Sequence, residues 1–276
     1  MYIKYKKVGI LNNKVIVVTG GTGVIGGALV EALAKEGAAI GILGRNVATA
    51  TERAEKITQS GGLAIPLIAD VLNESQLVAA RDKLINAYGK IDGLVNAAGG
   101  NLPKAIVQSN EDVFELNIEA LESVMRLNVV GTILPTQIFG KSIFDTATIG
   151  SIVNISSVAA QHPLTKVLGY SIAKTAIEGY TKWFAVELAN RYGDAIRMNA
   201  IAPGFFLTEQ NKTLLKNEDG SFTQRAQNII HQTPFKRFGN PNELAGALIW
   251  LLSDESKFVT GTTITIDGGF TSFAGV

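Results

Sequence analysis

Seven short runs of apolar, β-branched residues set the terms on which this chain can fold. They are Lys14–Thr19, Ala38–Leu43, Ala64–Ala69, Gly93–Asn96, Ser151–Ile155, Ala195–Ile201 and Thr263–Ile266. Most are apolar throughout rather than on alternate residues, which is the pattern of a strand covered on both faces. Longer amphipathic stretches separate most of them: Val24–Glu36, stopped by Gly37, then Val47–Ser60, Glu74–Tyr88, Leu121–Phe144 and a helix carrying Tyr170 as far as Tyr192. Strand and helix in alternation predict a parallel sheet with helices on both faces, because each parallel return needs a crossover. The expected fold class is α/β, a Rossmann-type doubly wound seven-stranded parallel sheet in three α/β/α layers. No linker-like shift in composition and no repeat divides residues 1–276, so one domain is expected, with residues 1–12 as an N-terminal extension.

Two segments break the alternation. Residues 101–119 follow the fourth run and residues 205–240 follow the sixth. Both leave the carboxyl ends of strands, where open α/β sheets bind their ligands. Long loops at such places commonly serve as lids or substrate walls. A substrate lid is therefore expected at 205–240.

Composition narrows the chemistry. The 25 Lys and Arg nearly balance the 24 Asp and Glu, for a net charge of +1. That leaves no electrostatic case for nucleic acid or an anionic membrane surface. The absence of cysteine excludes disulfides, thiolate catalysis and cysteine-bound metal. The two histidines, His162 and His231, stand far apart in sequence, so no metal site is expected. The apolar run Val15–Val30 is interrupted by glycines and too short to span a bilayer. The lysine-bearing N-terminus has no apolar stretch of signal-peptide type behind it. A soluble cytoplasmic protein with a small-molecule substrate, and with neither nucleic-acid nor membrane partner, is the expectation.

The turn Thr19-Gly20-Gly21-Thr22-Gly23-Val24-Ile25-Gly26 lies between a strand and a helix. Glycines there let the backbone approach a pyrophosphate, whose charge sits at the helix N-terminus. The spacing alone is weak evidence; its position after a strand makes it strong. Gly20, Thr22, Gly23, Val24, Ile25 and Gly26 are expected to line a dinucleotide. An NAD site normally has an acid at the end of the second strand, for the ribose 2′-hydroxyl. Here Gly44 stands in that neighbourhood, followed by Arg45 and Asn46. An arginine can accept the 2′-phosphate of NADP, which slightly favours NADP over NAD. Alternatively, Arg45 stacks on the adenine or pairs at the surface, with NAD still used. Asp70 and Val71 are expected at the adenine end, and Asn96, Ala97, Ala98 and Gly99 near the ribose; simple strand-end turns are the plainer alternative for each.

Ser157, Tyr170 and Lys174 read as Ser-x12-Tyr-x3-Lys. The Tyr-x3-Lys pair alone means little, since a gap of four only puts both on one helix face. After a buried-type strand, and downstream of the glycine turn, it describes an enzyme whose proton donor is a phenol. Reducing a carbonyl with hydride requires a proton for the developing alkoxide, and a phenol donates best if its pKa falls toward neutrality. A drop of about 3 units corresponds to roughly 4 kcal/mol. One ammonium about 4 Å away, at an effective dielectric near 20, supplies about that much. Lys174 is thus expected to acidify Tyr170, with Ser157 hydrogen-bonding the substrate oxygen.

These motifs resemble the compact branch of the short-chain dehydrogenase/reductase family over about residues 12–270. The resemblance rests on the glycine turn, Asn96-Ala97-Ala98-Gly99, Asn128 in RLNVVGT, Ser157, Tyr170 with Lys174, Pro203-Gly204 with Thr208, and Asp267-Gly268-Gly269. It implies a catalytic tetrad of Asn128, Ser157, Tyr170 and Lys174, with Asn128 holding a water that relays protons to Lys174. It also implies that Pro203, Gly204, Phe206 and Thr208 line the nicotinamide end and the phosphates, and that Tyr170 and Lys174 touch the cofactor. Val24 departs from the pattern, since compact members usually carry glycine there. A homo-oligomer, tetramer or dimer, is implied as well.

A narrower resemblance is to the mannonate oxidoreductases, or fructuronate reductases. It is carried by NLPKA, GTILPTQIF and the run from NAIAPGFFLTEQNKTLL to TPFKRFG. The implied reaction is reversible NAD(P)-dependent reduction of a keto group on a sugar acid, D-fructuronate to D-mannonate. A sugar acid needs a cation for its carboxylate and polar groups for its hydroxyls. Asn101, Lys104, His162, Lys166 and Gln210 lie on loops expected to face the pocket, although each alone is a common surface type. Asn101, Lys104, Ser157, His162, Tyr170 and Gln210 form the expected substrate set. The alternatives are another carbonyl substrate, such as a polyol, keto sugar or 3-oxoacyl thioester, and a cofactor-binding protein without catalysis; the intact tetrad argues against the last.

Overall fold

The computed structural model describes residues 9–108, 110–208 and 215–275. In chain order the elements are β1 Val15–Thr19, α1 Val24–Lys35, β2 Ala39–Gly44, α2 Val47–Gln59, β3 Leu63–Ile68, α3 Glu74–Tyr88 and β4 Gly93–Asn96. There follow α4 Ile118–Met125, a π-helical turn Arg126–Val130, α5 Gly131–Thr146, β5 Gly150–Ile155, α6 Leu168–Tyr192 and β6 Ile196–Pro203. The last elements are α7 Gln224–Gln232, α8 Ala245–Leu252 and β7 Thr263–Ile266. All seven expected strands are present.

The strands form one parallel sheet in the order β3-β2-β1-β4-β5-β6-β7. The order reverses between β1 and β4, the switch point at which this architecture opens a crevice outside the strand carboxyl ends. The pleat sends alternate residues of β1 to opposite faces. Ile16 and Val18 join one buried cluster with Leu29 and Leu33 of α1, Ile57 of α2 and Leu248 of α8. Val15 and Val17 join the other, with Leu77 of α3, Phe139 of α5 and Leu188 of α6. A fully buried aliphatic side chain stabilises by about 1.5–3 kcal/mol. An exposed ion pair such as Lys56–Glu31, at 2.8 Å, gives about 0–1 kcal/mol. The two clusters therefore decide the fold.

β3 forms one edge of the sheet. Its Pro66 pairs in register with Ile42, and Lys83 Nζ donates to the Pro66 carbonyl at 2.8 Å. Within 205–240, Leu215, Ala226 and Ile229 make a separate small cluster, against which Phe205, Leu207 and Phe238 pack. That cluster seats α7 over the carboxyl end of β6.

One expected helix is not continuous. The stretch read as Leu121–Phe144 begins at Ile118, passes through the π turn and ends at Thr146. Pro135 lacks the donor that would close a regular α5 turn. The hydroxyls of Thr132 and Thr136 bond back to the carbonyls of Asn128 and Thr132, each at 2.8 Å. Among the described residues no helix is long and apolar enough to cross a membrane.

Candidate active site

The expected cofactor residues gather at one rim, because β1, β2, β4, β5 and β6 all end there. At the first turn, α1 starts at Gly23 without a side-chain cap. By contrast α2, α3, α4 and α7 are capped by Asn46, Asn73, Asn117 and Thr223. Uncapped first-turn amides leave donors facing the crevice, which is what an anionic pyrophosphate requires. Val24 stands there 40% exposed, an apolar side chain at the mouth of the turn, while Ile25 packs against the core. A Cβ on Gly26 would fall well inside contact distance of the Gly20 carbonyl, so the turn tolerates no side chain at 26. Thr19 Oγ1 accepts from the amides of Ala97 and Ala98 at 3.1 and 3.2 Å, tying the first turn to the end of β4. These features fit a dinucleotide.

The chain has a buttress for this turn that sequence reasoning missed. Arg53 of α2 donates to the Gly21 carbonyl and, at 2.8 Å, to the Gly23 carbonyl. Its guanidinium occupies the space where a side chain on Gly27 would start. Nothing in the periodicity of α2 marks Arg53 out from its other charged residues.

At the end of β2, a Cβ on Gly44 would lie 2.5 Å from Thr22 Oγ1, so Thr22 fills the place an acid would need. The Arg45 side chain is 77% exposed and sits 3.8 Å from Asp70. Asn46 spends its side-chain oxygen on the α2 cap, accepting from Thr49 at 3.0 Å. Asp70 is fixed by its own turn, accepting from the Leu72 amide at 2.9 Å, and Val71 is buried.

Two expected cofactor residues point elsewhere. Asn96 is buried and donates to Thr136 Oγ1 and Asn154 Oδ1, each at 2.9 Å, and Asn154 passes the chain on to Thr181. Its carboxamide binds the sheet interior, not the crevice. Phe206 is likewise buried in the main core, with its ring against Gly239. A sequence motif places the backbone of such residues but does not say which way their side chains turn. Gly204 follows β6, its amide bonded to the Ile266 carbonyl at 2.9 Å, and Pro203 closes the strand. Thr208 is half-buried at the start of the 205–240 segment.

The expected tetrad converges. Asn128 lies fully buried in the π turn, a distortion that recurs at functional sites. Its Nδ2 donates to the carbonyls of Gly100 and Val124, both at 2.8 Å, and its Oδ1 accepts from the Gly100 amide at 3.1 Å. Gly99 has φ 157, and a Cβ there would lie 2.5 Å from Asn128 Oδ1 and 3.5 Å from Lys174 Nζ. Only glycine leaves those two groups neighbours. Lys174 is buried, donates to the Ile155 carbonyl at 2.8 Å and lies 5.5 Å from the centre of the Tyr170 ring. Ser157 Oγ accepts from the Ala159 amide at 3.1 Å, and its hydroxyl hydrogen-bonds the Tyr170 phenol.

The electrostatics correct one expectation. Burial raises the Tyr170 phenol above its ordinary value, and the bond from Ser157 only partly opposes this. Burial also pulls Lys174 down to about 8. The ammonium spends its contact on a backbone carbonyl, so Lys174 does not acidify the phenol in the protein alone. A protonated phenol beside a lysine that titrates near neutrality is the arrangement the site holds.

The expected substrate residues divide. Asn101 follows the Gly100–Asn128 junction, and both its side-chain polar atoms are buried without a hydrogen-bond partner. Lys104 is exposed and lines a cavity of about 260 Å³ with Glu111, Asp112, Glu115 and Gly169. His162 is bound to the C-terminal segment, its Nε2 2.8 Å from the Thr271 carbonyl and its ring edge-on to Phe270. Lys166 has φ 75 and its carbonyl accepts from the Val107 amide at 3.0 Å, joining the 101–117 segment to the approach to α6. Gln210 lies outside the described residues. No group of three or more His, Cys, Asp or Glu suited to a metal ion occurs among the described residues.

Known proteins are similar to this chain over nearly its whole length. A family model described as enoyl-(acyl carrier protein) reductase matches residues 21–271. The uncharacterized oxidoreductase UxuB of Bacillus subtilis is 42% identical over 275 residues, covering 96% of this chain and 98% of its own. A Haemophilus influenzae structure with bound NAD, proposed to be a D-mannonate oxidoreductase, is 40% identical. It superposes with a TM-score of 0.89 over 96% of this chain and 98% of that one. A gluconate 5-dehydrogenase from Burkholderia cenocepacia, solved with NADP and tartrate, is 33% identical with a TM-score of 0.82, over 95% and 96% of the two chains.

Proposed function

The chain belongs to the short-chain dehydrogenase/reductase family and is an NAD(P)-dependent oxidoreductase; on that footing we propose that it reversibly reduces the keto group of a sugar acid, D-fructuronate to D-mannonate. When bound, the reduced dinucleotide supplies the hydride. Tyr170 gives its phenolic proton to the carbonyl oxygen as the new C–H bond forms, and takes it back in the oxidation direction. Its raised pKa keeps that proton in place until an alkoxide develops. Ser157, which bonds the Tyr170 phenol in the protein alone, turns its hydroxyl to the substrate oxygen when substrate is bound. Lys174, across Gly99 from Asn128, returns a proton to the phenol and is itself recharged through a water that Asn128 holds.

The observation that carries the substrate class is Asn101. A buried carboxamide with neither atom bonded costs about 1–3 kcal/mol, and a hydroxyl-rich ligand would satisfy it. An acyl chain would not. The named activities of the H. influenzae and B. cenocepacia relatives agree with a hydroxylated acid. Exposed Arg45 supports NADP, whereas the pairing of Arg45 with Asp70 and the NAD in the H. influenzae relative support NAD. On α6, Trp183 and Val186 are 62% and 58% exposed, which supports a homo-oligomer. The test is a substrate panel with both cofactors. Turnover of D-mannonate or D-fructuronate, with little on 3-oxoacyl thioesters, is expected; the reverse ranking removes the proposal.

A further inference from the structure

We infer that Arg225 is the residue that recognises the carboxylate of the substrate, an inference that rests on the sugar-acid reading above. Arg225 stands on α7, which the cluster of Leu215, Ala226 and Ile229 seats over the end of β6 against Phe205 and Leu207. From there its guanidinium crosses to Thr165, on the loop that leads into α6 and Tyr170. The next residue of that loop, Lys166, is held in left-handed geometry by its bond to Val107 of the 101–117 segment. Segments that follow β4, β5 and β6 are thus linked in series, Val107 to Lys166 and its neighbour Thr165 to Arg225.

The guanidinium is poorly used by the protein. It has five donors in a planar fork, and among the described residues its hydrogen bonding is one contact of 3.4 Å, to Thr165 Oγ1. No carboxylate of the described residues forms an ion pair with it, although the side chain is half-buried. The other buried or half-buried arginines are committed: Arg53 to the glycine turn, Arg81 to Asp82, and Arg197 to Ser256 and to the Ser253 and Val259 carbonyls. An under-used, partly desolvated fork fits a carboxylate, which it can grip through two parallel bonds. The position is also appropriate. In D-fructuronate the carboxylate is at the opposite end of the hydroxylated chain from the reacting ketone, so its reader belongs at the rim and not beside Tyr170. Lys104, expected from the sequence to take this part, instead lines a cavity that Glu111, Asp112 and Glu115 also line.

The experiment compares wild type, Arg225→Gln and Arg225→Lys on D-mannonate and on neutral D-mannitol, the latter read as competitive inhibition where it is not oxidised. Cofactor affinity by calorimetry and the circular dichroism spectrum establish that each variant is folded. Arg225→Gln should lower the preference for mannonate over mannitol by about 30-fold, through KM and with kcat little changed, and Arg225→Lys should fall between. Equal losses on both compounds would make Arg225 a latch for α7 and overturn the inference. So would an unchanged mannonate KM in a wild-type background that prefers mannonate. A wild type with no preference for acids over polyols would remove the sugar-acid reading itself, and this inference with it.

Discussion

The two walls of the crevice are built differently. On the expected cofactor wall several polar groups are already paired: Thr19 holds Ala97 and Ala98, Arg53 holds Gly21 and Gly23, and Asn46 and Asp70 close their own turns. What remains open there is the row of amides at the start of α1. On the wall proposed for the substrate, Asn101 has no hydrogen-bond partner and Arg225 has one marginal contact among the described residues. A site formed in advance suits a ligand that every turnover shares, whereas groups left unsatisfied gain their bonds only from the correct substrate and so discriminate.

The contrast can be broken from either wall. The largest effect belongs between them. Tyr170→Phe should lose at least about 10³-fold in kcat while the dinucleotide dissociation constant stays within about threefold; near-normal turnover would take Tyr170 out of the chemistry. Next, Gly26→Ala forces the turn against the Gly20 carbonyl and should weaken either dinucleotide by about 100-fold in calorimetry. Unimpaired binding would mean that the cofactor wall is not rigid. Arg45→Ala should cost NADP about tenfold more affinity than NAD, and equal losses would return Arg45 to its pairing with Asp70.

A separate effect is a pH dependence of stability. Lys174 titrates at about 8 in the folded protein against 10.5 in the open chain, so between these values the unfolded chain holds more protons. Stability relative to Lys174→Met should therefore rise with pH from about 8 to 10, at up to about 1.4 kcal/mol per unit, and be flat below that window. A denaturant series at several pH values measures it. A parallel response of the two proteins would mean that Lys174 is not desolvated.

Much of this was legible in the chain. The strands are, because each is a short run of β-branched residues that only a doubly covered sheet can bury. The convergence of Asn128, Ser157, Tyr170 and Lys174 is, because these residue types have few other reasons to stand at those intervals. The π turn is not: Arg126–Val130 reads as ordinary helix, and neither Pro135 nor the hydroxyls of Thr132 and Thr136, which follow it, mark its position in the sequence. The direction of the Tyr170 shift is not either, since spacing reports which charges are near but not how deeply a group is buried. Asn96 and Phe206 show the same limit from another side, because their backbones hold the expected places while their side chains serve the interior. Arg53 and Arg225 escape detection altogether, as each depends on a partner distant in sequence.

Pro66 has a consequence beyond its own strand. The N–H and C=O of a strand residue face the same side of the ladder, so where Lys83 has taken the carbonyl, the absent amide hydrogen is missing from that same outer margin. An intruding chain that tried to lengthen the sheet beyond β3 would meet one position with neither donor nor free acceptor. The margin farthest from β7 is thereby guarded against edge-to-edge aggregation.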